Sequence, residues 1–156
     1  NARLQEALNP NGLEVRRGER AFRLHDKVMQ IRNNYDKDVF NGDMGRISFM
    51  DVRERTLSIT FDERVVPYEF DELDEIAPAY AISIHKSQGS EYPAVVIPVM
   101  MQHYVLLQRN LIYTGVTRGK KLVILVGESR ALHTAIKNNK TRKRFTRLAQ
   151  RLAPVE

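Results

Sequence analysis

The apolar pattern of this chain changes period once, at about Ala77, and that change limits what the chain can fold into. Before it, residues 44–50, 56–61 and 65–70 read as three short strands, rich in apolar and β-branched side chains. Their separators are short and polar: Asp51-Val52-Arg53-Glu54-Arg55 and Asp62-Glu63-Arg64. Several short strands within about fifty residues predict a small β-barrel or SH3-like module. An extended run with partial alternation enters it through Phe22, Leu24, Val28, Gln30 and Arg32, and Asn41-Gly42-Asp43 is a turn. Further upstream, a polar–apolar segment over 1–8 closes on Asn9-Pro10-Asn11-Gly12, a second turn signal.

After Ala77 the grammar becomes α/β. The spacing predicts a helix over 79–86 with Tyr80, Ala81 and Ile84 on one face, then a polar loop over 87–91 around Gly89. A buried strand over 94–99 follows, and a helix over 105–117 through Leu107, Leu111 and Thr114. Gly119-Lys120-Lys121 breaks that helix before a second buried strand over 122–126. Ser129 is placed to cap a helix running to about Lys137, and Thr141 to cap a last one with Phe145, Leu148 and Leu152 on its stripe. Alternating helices and strands imply a parallel sheet. The expected class is α/β: one parallel-sheet unit made of residues 1–21 and 77–156, with a β-module inserted over 22–76.

A length of 156 residues suits a small domain plus an insertion, and 42% hydrophobic residues are enough for a core. With no cysteine there are no disulfides and no thiolate metal sites, which fits a reducing, cytoplasmic setting. The longest apolar runs, 94–101 and 122–126, are far shorter than a membrane span, so no membrane partner is expected. Charge is segregated: residues 51–76 hold nine acidic and three basic side chains, and 129–152 hold eight basic and no acidic ones. The basic end suits a polyanion, and suits equally a solvated helix face.

Two constellations bear chemistry. His85-Lys86-Ser87-Gln88-Gly89-Ser90-Glu91 offers an ammonium, hydroxyls, an amide and backbone N–H groups in one loop, the groups that bind phosphate and sugar oxygens. The same composition describes an ordinary surface turn. Arg118 ends a helix just before a strand, where a guanidinium can grip a phosphate in bidentate fashion or complement the helix dipole. For base stacking, Tyr35, Phe40, Phe49, Tyr68 and Tyr92 are available; Tyr35 and Phe40 lie in a polar turn region and are the better candidates, whereas Phe22 and Phe61 belong to the core. Histidines 25, 85, 103 and 133 show no metal spacing. Asp71-Glu72 follows no buried strand and reads as the exposed acidic exit of the β-module.

Residues 79–91 closely resemble motif V of superfamily 1 helicases of the RecD/TraA type, and 110–121, with Tyr113-Thr114-Gly115-Val116-Thr117-Arg118-Gly119-Lys120, resemble their motif VI. Residues 26–35 and 39–45 are similar to the entry into that family's SH3-like insert. Gly115 and Gly119 stand where alanine is usual in the family. The resemblance implies a second RecA-like motor domain (2A) with an inserted SH3-like barrel (2B) along the single-strand path, in a motor moving 5′ to 3′. It implies that Arg118 reaches the γ-phosphate of ATP held mainly by the N-terminal RecA-like domain. Glu91, with Gly89, would touch the nucleotide, and Ser83, His85, Lys86, Ser87 and Gln88 would grip single-stranded DNA. ATP and Mg²⁺ are then the cofactors of the complete protein, with none bound tightly by this chain. No G-x-x-x-x-G-K-[ST] string is present, so the chain alone is expected not to hydrolyse ATP. Repair or conjugation proteins are possible partners. A non-catalytic single-strand binder, a protein-interaction module, or a structural domain that keeps the motor fold without its function stand as alternatives.

Overall fold

The computed structural model describes residues 1–139, which divide into two compact units, Asn1–Ser87 and the part that begins at Gln88. The helix expected after Thr141 lies outside the described residues.

The first unit opens with α1 (Ala2–Leu8), followed by a hairpin of β1 (Glu14–Arg17) and β2 (Arg20–Arg23). Gly18, in the left-handed region at φ 57°, makes its turn. A five-stranded antiparallel sheet follows in the order β6 (Arg64–Glu69), β5 (Thr56–Phe61), β4 (Met44–Asp51), β3 (Lys27–Gln30), β7 (Ile76–Pro78). Along β5 the alternation is complete: Leu57, Ile59 and Phe61 are buried, while Thr56, Ser58 and Thr60 are only half-buried on the other face. The inward face closes over Phe22, Val28, Val39, Ile47, Tyr68, Leu73 and Ile76. The insert expected over 22–76 falls within this unit, and β7 carries the pairing on to Pro78, opposite Val28.

A polar hub ties the unit together. Asp26 is fully buried, and its carboxylate accepts four hydrogen bonds, from Gln5 Nε2, Asn9 Nδ2, the Arg23 backbone N–H and the Tyr80 hydroxyl. Helix α1 therefore docks through an amide, since Gln5 is its one buried residue. A carboxylate removed from water is tolerable only when its lone pairs are met in this way.

The second unit is a βαβ element. Strand β8 (Tyr92–Val99) leads through a 3₁₀ turn (Met101–Leu106) and α2 (Arg109–Val116) to β9 (Gly119–Gly127), which pairs with β8 in parallel, and α3 (Ser129–Lys137) follows. Ile97, Val99, Leu107, Ala131 and Ala135 form its core. Three expectations change. The helix over 105–117 starts only at Arg109, because the chain turns at Leu107, whose side chain enters the core and whose carbonyl accepts Asn138 Nδ2. Glu128, not Ser129, caps α3, and its carboxylate accepts the Met101 N–H instead of a helix amide. The strands expected to be buried are largely open: Leu122, Ile124 and Val126 are 51%, 42% and 52% exposed. Parallel strands are ordinarily covered on both faces; here, among the described residues, each has one neighbour in the sheet.

Candidate functional site

The helix predicted over 79–86 does not form. Three consecutive residues are held in a non-helical path by partners far away in the chain: Ala79 N–H donates to Lys27 O, Tyr80 to Asp26, and Ala81 pairs through both backbone groups with the Asn1 side-chain amide (2.8 and 2.9 Å). Beyond them a tight turn closes. Ser83 Oγ accepts the Lys86 N–H, Ser87 N–H donates to Ser83 O, and Ser87 Oγ donates to Ile84 O at 2.7 Å. Hydroxyls that bond the local backbone compete with helix formation, so the serines that suggested a contact loop also set its shape. Ser83, His85 and Lys86 are exposed; Ser87 is buried, its hydroxyl satisfied inside the turn. Beside them lies a groove of about 280 Å³ with Met29, Ala77 and Pro78 in its lining and Ser83 and Lys86 on its polar side.

The remainder of the motif belongs to the second unit. Gln88 and Gly89 are exposed, and Gly89 takes φ 84°, a value open to glycine at no steric cost. The parallel register sets Tyr92 opposite Gly119, and Tyr92 N–H donates to Arg118 O at 2.7 Å. The loops entering β8 and β9 therefore meet at the N-terminal end of the two strands. There the Arg118 guanidinium is anchored by three bonds: Nε to Thr114 O (3.2 Å), Nη1 to Ser90 O (3.1 Å) and Nη2 to Thr117 Oγ1 (3.2 Å). Of the five N–H groups of a guanidinium, these three bonds leave two, one on each terminal nitrogen. Glu91 pairs with Lys120 at 3.1 Å, both more than half exposed, a contact that contributes little to stability. Helix α2 ends before Gly119, Lys120 and Lys121 as expected, and these three are already the first residues of β9, which was expected only from Leu122. A Cβ at Gly119 would stand 2.4 Å from Val123 Cγ2, so glycine lets the chain turn from Arg118 into the strand.

Tyr35 and Phe40 crown a loop of the first unit. Backbone bonds in both directions between Asn34 and Val39 close its neck, and buried Val39 roots it in the core. The two residues are 76% and 40% exposed, and their rings meet edge to face with centroids 5.9 Å apart. Of the other aromatic candidates, Tyr68 is buried, its hydroxyl on Gln30 Oε1, and Phe49 is exposed. Asp71 and Glu72 sit in a 3₁₀ turn (Phe70–Glu75), where Asp71 faces Arg17 and Arg55, and Glu72 takes Lys37 Nζ and the Glu69 N–H. Among the described residues no cluster of histidines and carboxylates is arranged to hold a metal ion, and no helix is long and apolar enough to cross a membrane. The Asp26 hub and the Asn1–Ala81 pairing, which position the 79–87 segment, had no local signal. Their partners are 54 and 80 residues away.

Residues 1–61 match the family model described as the SH3 domain of ATP-dependent RecD-like DNA helicases, and residues 78–126 match the UvrD-like helicase C-terminal domain. The chain is 33% identical over 135 residues to the ATP-dependent RecD2 DNA helicase of Deinococcus radiodurans, covering 86% of this chain and 19% of that protein. It is 28% identical over 143 residues to the RecBCD enzyme subunit RecD of Haemophilus influenzae, covering 92% and 21% respectively. The chain thus spans about a fifth of the length of these relatives. Among solved structures it is similar in fold to a Bacteroides Pif1 helicase in complex with ADP-AlF3 and single-stranded DNA (TM-score 0.54, 19% identity, 69% of this chain and 29% of that one). A second neighbour is a Pif1 helicase at forked duplex DNA (TM-score 0.52, 20% identity, 67% and 27%).

Proposed function

We propose that this chain, a member of the RecD-like DNA helicase family matched in chain order to that family's SH3 domain and to the UvrD-like helicase C-terminal domain, forms part of the family's ATP-driven motor. In this reading residues 1–21 and 77–156 build the second RecA-like domain (2A), and 22–76 its SH3-like insert (2B). The parallel β8–β9 pair with α2 between its strands supports the first part, and the antiparallel sheet of the first unit supports the second.

One observation carries the catalytic reading: Arg118 is anchored at the entry to β9 with one N–H left on each terminal nitrogen. A guanidinium held in this way stabilises charge on a transferring γ-phosphoryl group, and such fingers contribute several orders of magnitude in related NTPases. ATP and Mg²⁺ would be bound mainly by the N-terminal RecA-like domain of the complete protein, with Glu91 and Gly89 contributing contacts from this side. The chain contains no phosphate-cradling G-x-x-x-x-G-K-[ST] string, so by itself it turns over no ATP. Single-stranded DNA is gripped by His85, Lys86 and the Ser83–Ser87 turn, together with Gln88. The exposed Tyr35–Phe40 pair offers bases a stacking platform. The motor moves 5′ to 3′, and repair or conjugation proteins are its partners.

Arg118→Ala in the complete protein tests the reading. DNA-stimulated ATPase is expected to fall by about 10³-fold or more, while single-strand affinity stays nearly unchanged. Hydrolysis at the normal rate would remove the finger from Arg118. Loss of DNA binding with hydrolysis intact would favour a plain binding module.

A further inference from the structure

The dipeptide Asn-Gly occurs twice in this chain, at Asn11-Gly12 and at Asn41-Gly42, and the fold treats the two differently. In such a pair the glycine's backbone nitrogen can attack the side-chain amide carbon of the asparagine, because no β-carbon on the following residue shields it. The nitrogen must first give up its proton, so a hydrogen bond from that N–H holds the reaction back. At the second pair this restraint is in place. Gly42 N–H donates to Gln30 O at 2.9 Å, Asn41 N–H to Asn33 Oδ1 at 2.9 Å and Phe40 N–H to Asp43 Oδ2 at 2.8 Å, so the turn is fastened along its length. At the first pair it is missing. Asn11 is exposed, and among the described residues neither its side chain nor the Gly12 N–H has a hydrogen-bond partner. A shielding residue cannot replace the glycine without a clash, since a Cβ at Gly12 would stand 2.9 Å from Arg23 Cβ and 3.0 Å from Leu24 O. The packing that requires glycine therefore leaves its nitrogen bare.

The surroundings make this position matter to the buried hub. Just before it, Asn9 Nδ2 donates to Leu24 O and to Asp26 Oδ1, both at 2.8 Å, and Asn9 O accepts Arg23 Nη1 at 2.9 Å. Just after it, Leu13 O accepts the Leu24 N–H at 2.9 Å. Residues 10–12 thus span two clamps set on the same short stretch, residues 23–26. We propose that Asn11 is a site of spontaneous deamidation, a modification that acts as a clock on the first unit. Gly12 N bonds to Asn11 Cγ, the Cγ–Nδ2 bond breaks, and ammonia leaves carrying the Gly12 amide proton, which closes a five-membered succinimide. Water then opens the ring at one of its two carbonyls. Opening at Cγ gives aspartate. Opening at the backbone carbonyl carbon gives isoaspartate, whose chain runs on through the side chain and whose former backbone carbonyl becomes the free carboxylate. Isoaspartate lengthens the path between the clamps by one carbon, about 1.5 Å, so one clamp gives and the docking of α1 on Asp26 weakens. The inference is independent of the helicase reading.

The test ages the whole chain in mildly alkaline buffer made with heavy-oxygen water, folded in one arm and unfolded in guanidinium in the other, and maps the digested peptides by mass spectrometry. In the folded arm Asn11 is expected to convert faster than Asn41 by about fivefold or more, the factor for giving up one hydrogen bond. In the unfolded arm the two rates converge. Equal rates in the folded arm, or Asn41 ahead, overturn the proposal. So does an Asn11 that stays an amide when folded while converting when unfolded. The clock is read by urea unfolding. The isoaspartate fraction, separated by hydrophobic-interaction chromatography, is expected to unfold at a lower urea concentration than Asn11→Asp, which carries the same charge without the extra carbon. Asn11→Gln, whose longer side chain closes a ring far more slowly, should hold its midpoint through ageing. An isoaspartate fraction as stable as Asn11→Asp overturns the link to Asp26.

Discussion

Replacing Asp26 with Asn removes one charge and almost no volume, which isolates what the buried hub contributes. The carboxylate accepts from Gln5 Nε2 (2.5 Å) and the Arg23 N–H (2.7 Å) on Oδ2, and from Asn9 Nδ2 and Tyr80 Oη (both 2.8 Å) on Oδ1. An asparagine keeps one acceptor oxygen. Its best orientation puts the amide nitrogen on the Oδ1 side, where the Tyr80 hydroxyl can rotate and accept but Asn9 Nδ2 is left facing a donor. One stranded buried donor costs about 1–3 kcal/mol, and the surviving bonds lose the extra strength of a charged acceptor, so the expected loss is about 3 kcal/mol. Asp26→Ala strands all four donors and should cost about 5 kcal/mol, a large share of a small domain's stability. Tyr80→Phe removes one donor and leaves the other three on the carboxylate, for about 1 kcal/mol. Urea unfolding followed by circular dichroism reads all three; at a slope of ~2 kcal/mol per molar, Asp26→Asn moves the midpoint by about 1.5 M. If Asp26→Asn lies within about 0.5 kcal/mol of wild type, or if Tyr80→Phe costs as much as it does, the hub does not hold the unit together as described.

Gly127 takes φ 146°, and a Cβ there would lie 2.1 Å from Val99 O, so Gly127→Ala should lower the melting temperature of the second unit sharply, with a loss of about 3 kcal/mol or more, whereas Gly18→Ala, with open space around it, should cost about 1. Acid should weaken the first unit. Hydrogen bonds from Arg23 and then Arg16 hold the Glu14 carboxyl below its ordinary value; at Glu72 burial pushes the other way, but the Lys37 and Glu69 hydrogen bonds outweigh it. A depressed folded-state pKa stabilises above the unfolded value and is lost as pH falls through the folded one. The urea midpoint should therefore hold from neutrality to about pH 4.5, the ordinary glutamate value, and fall below it. A midpoint that rises on acidification would contradict the pairing.

Strands β4, β5 and β6 were legible to within a residue of their observed bounds, because alternation and polar turns are local signals that the sheet only completes. The β1–β2 hairpin was not legible. It holds one buried side chain, Phe22, and leans on charge: Glu14 to Arg23 within it, and Arg17 to Asp71 and Asp74 far along the chain. The 79–86 segment has helical apolar spacing and yet runs otherwise, since bonds from Asn1, Asp26 and Lys27 outweigh a short helix whose serines have better local partners. The place of Arg118, between a helix end and a strand, was legible from its neighbours in sequence, but its bond to Ser90 depends on the parallel register, which no local pattern encodes. For β8 and β9, an apolar run shows what a strand is suited to bury; what covers it is decided elsewhere.

The side-chain amide of Asn1 gripping both backbone groups of Ala81 closes a ring of about eighty residues with two hydrogen bonds. Everything between enters and leaves through one gate. A ring closed at its neck can lengthen or shorten an internal loop at small entropic cost, since closure cost grows only with the logarithm of length. Its two ends need not move apart when it does. Pulled from those ends, such a ring loads the gate before it loads the sheet, so the gate acts as a mechanical fuse in series with the turn that begins at Ser83.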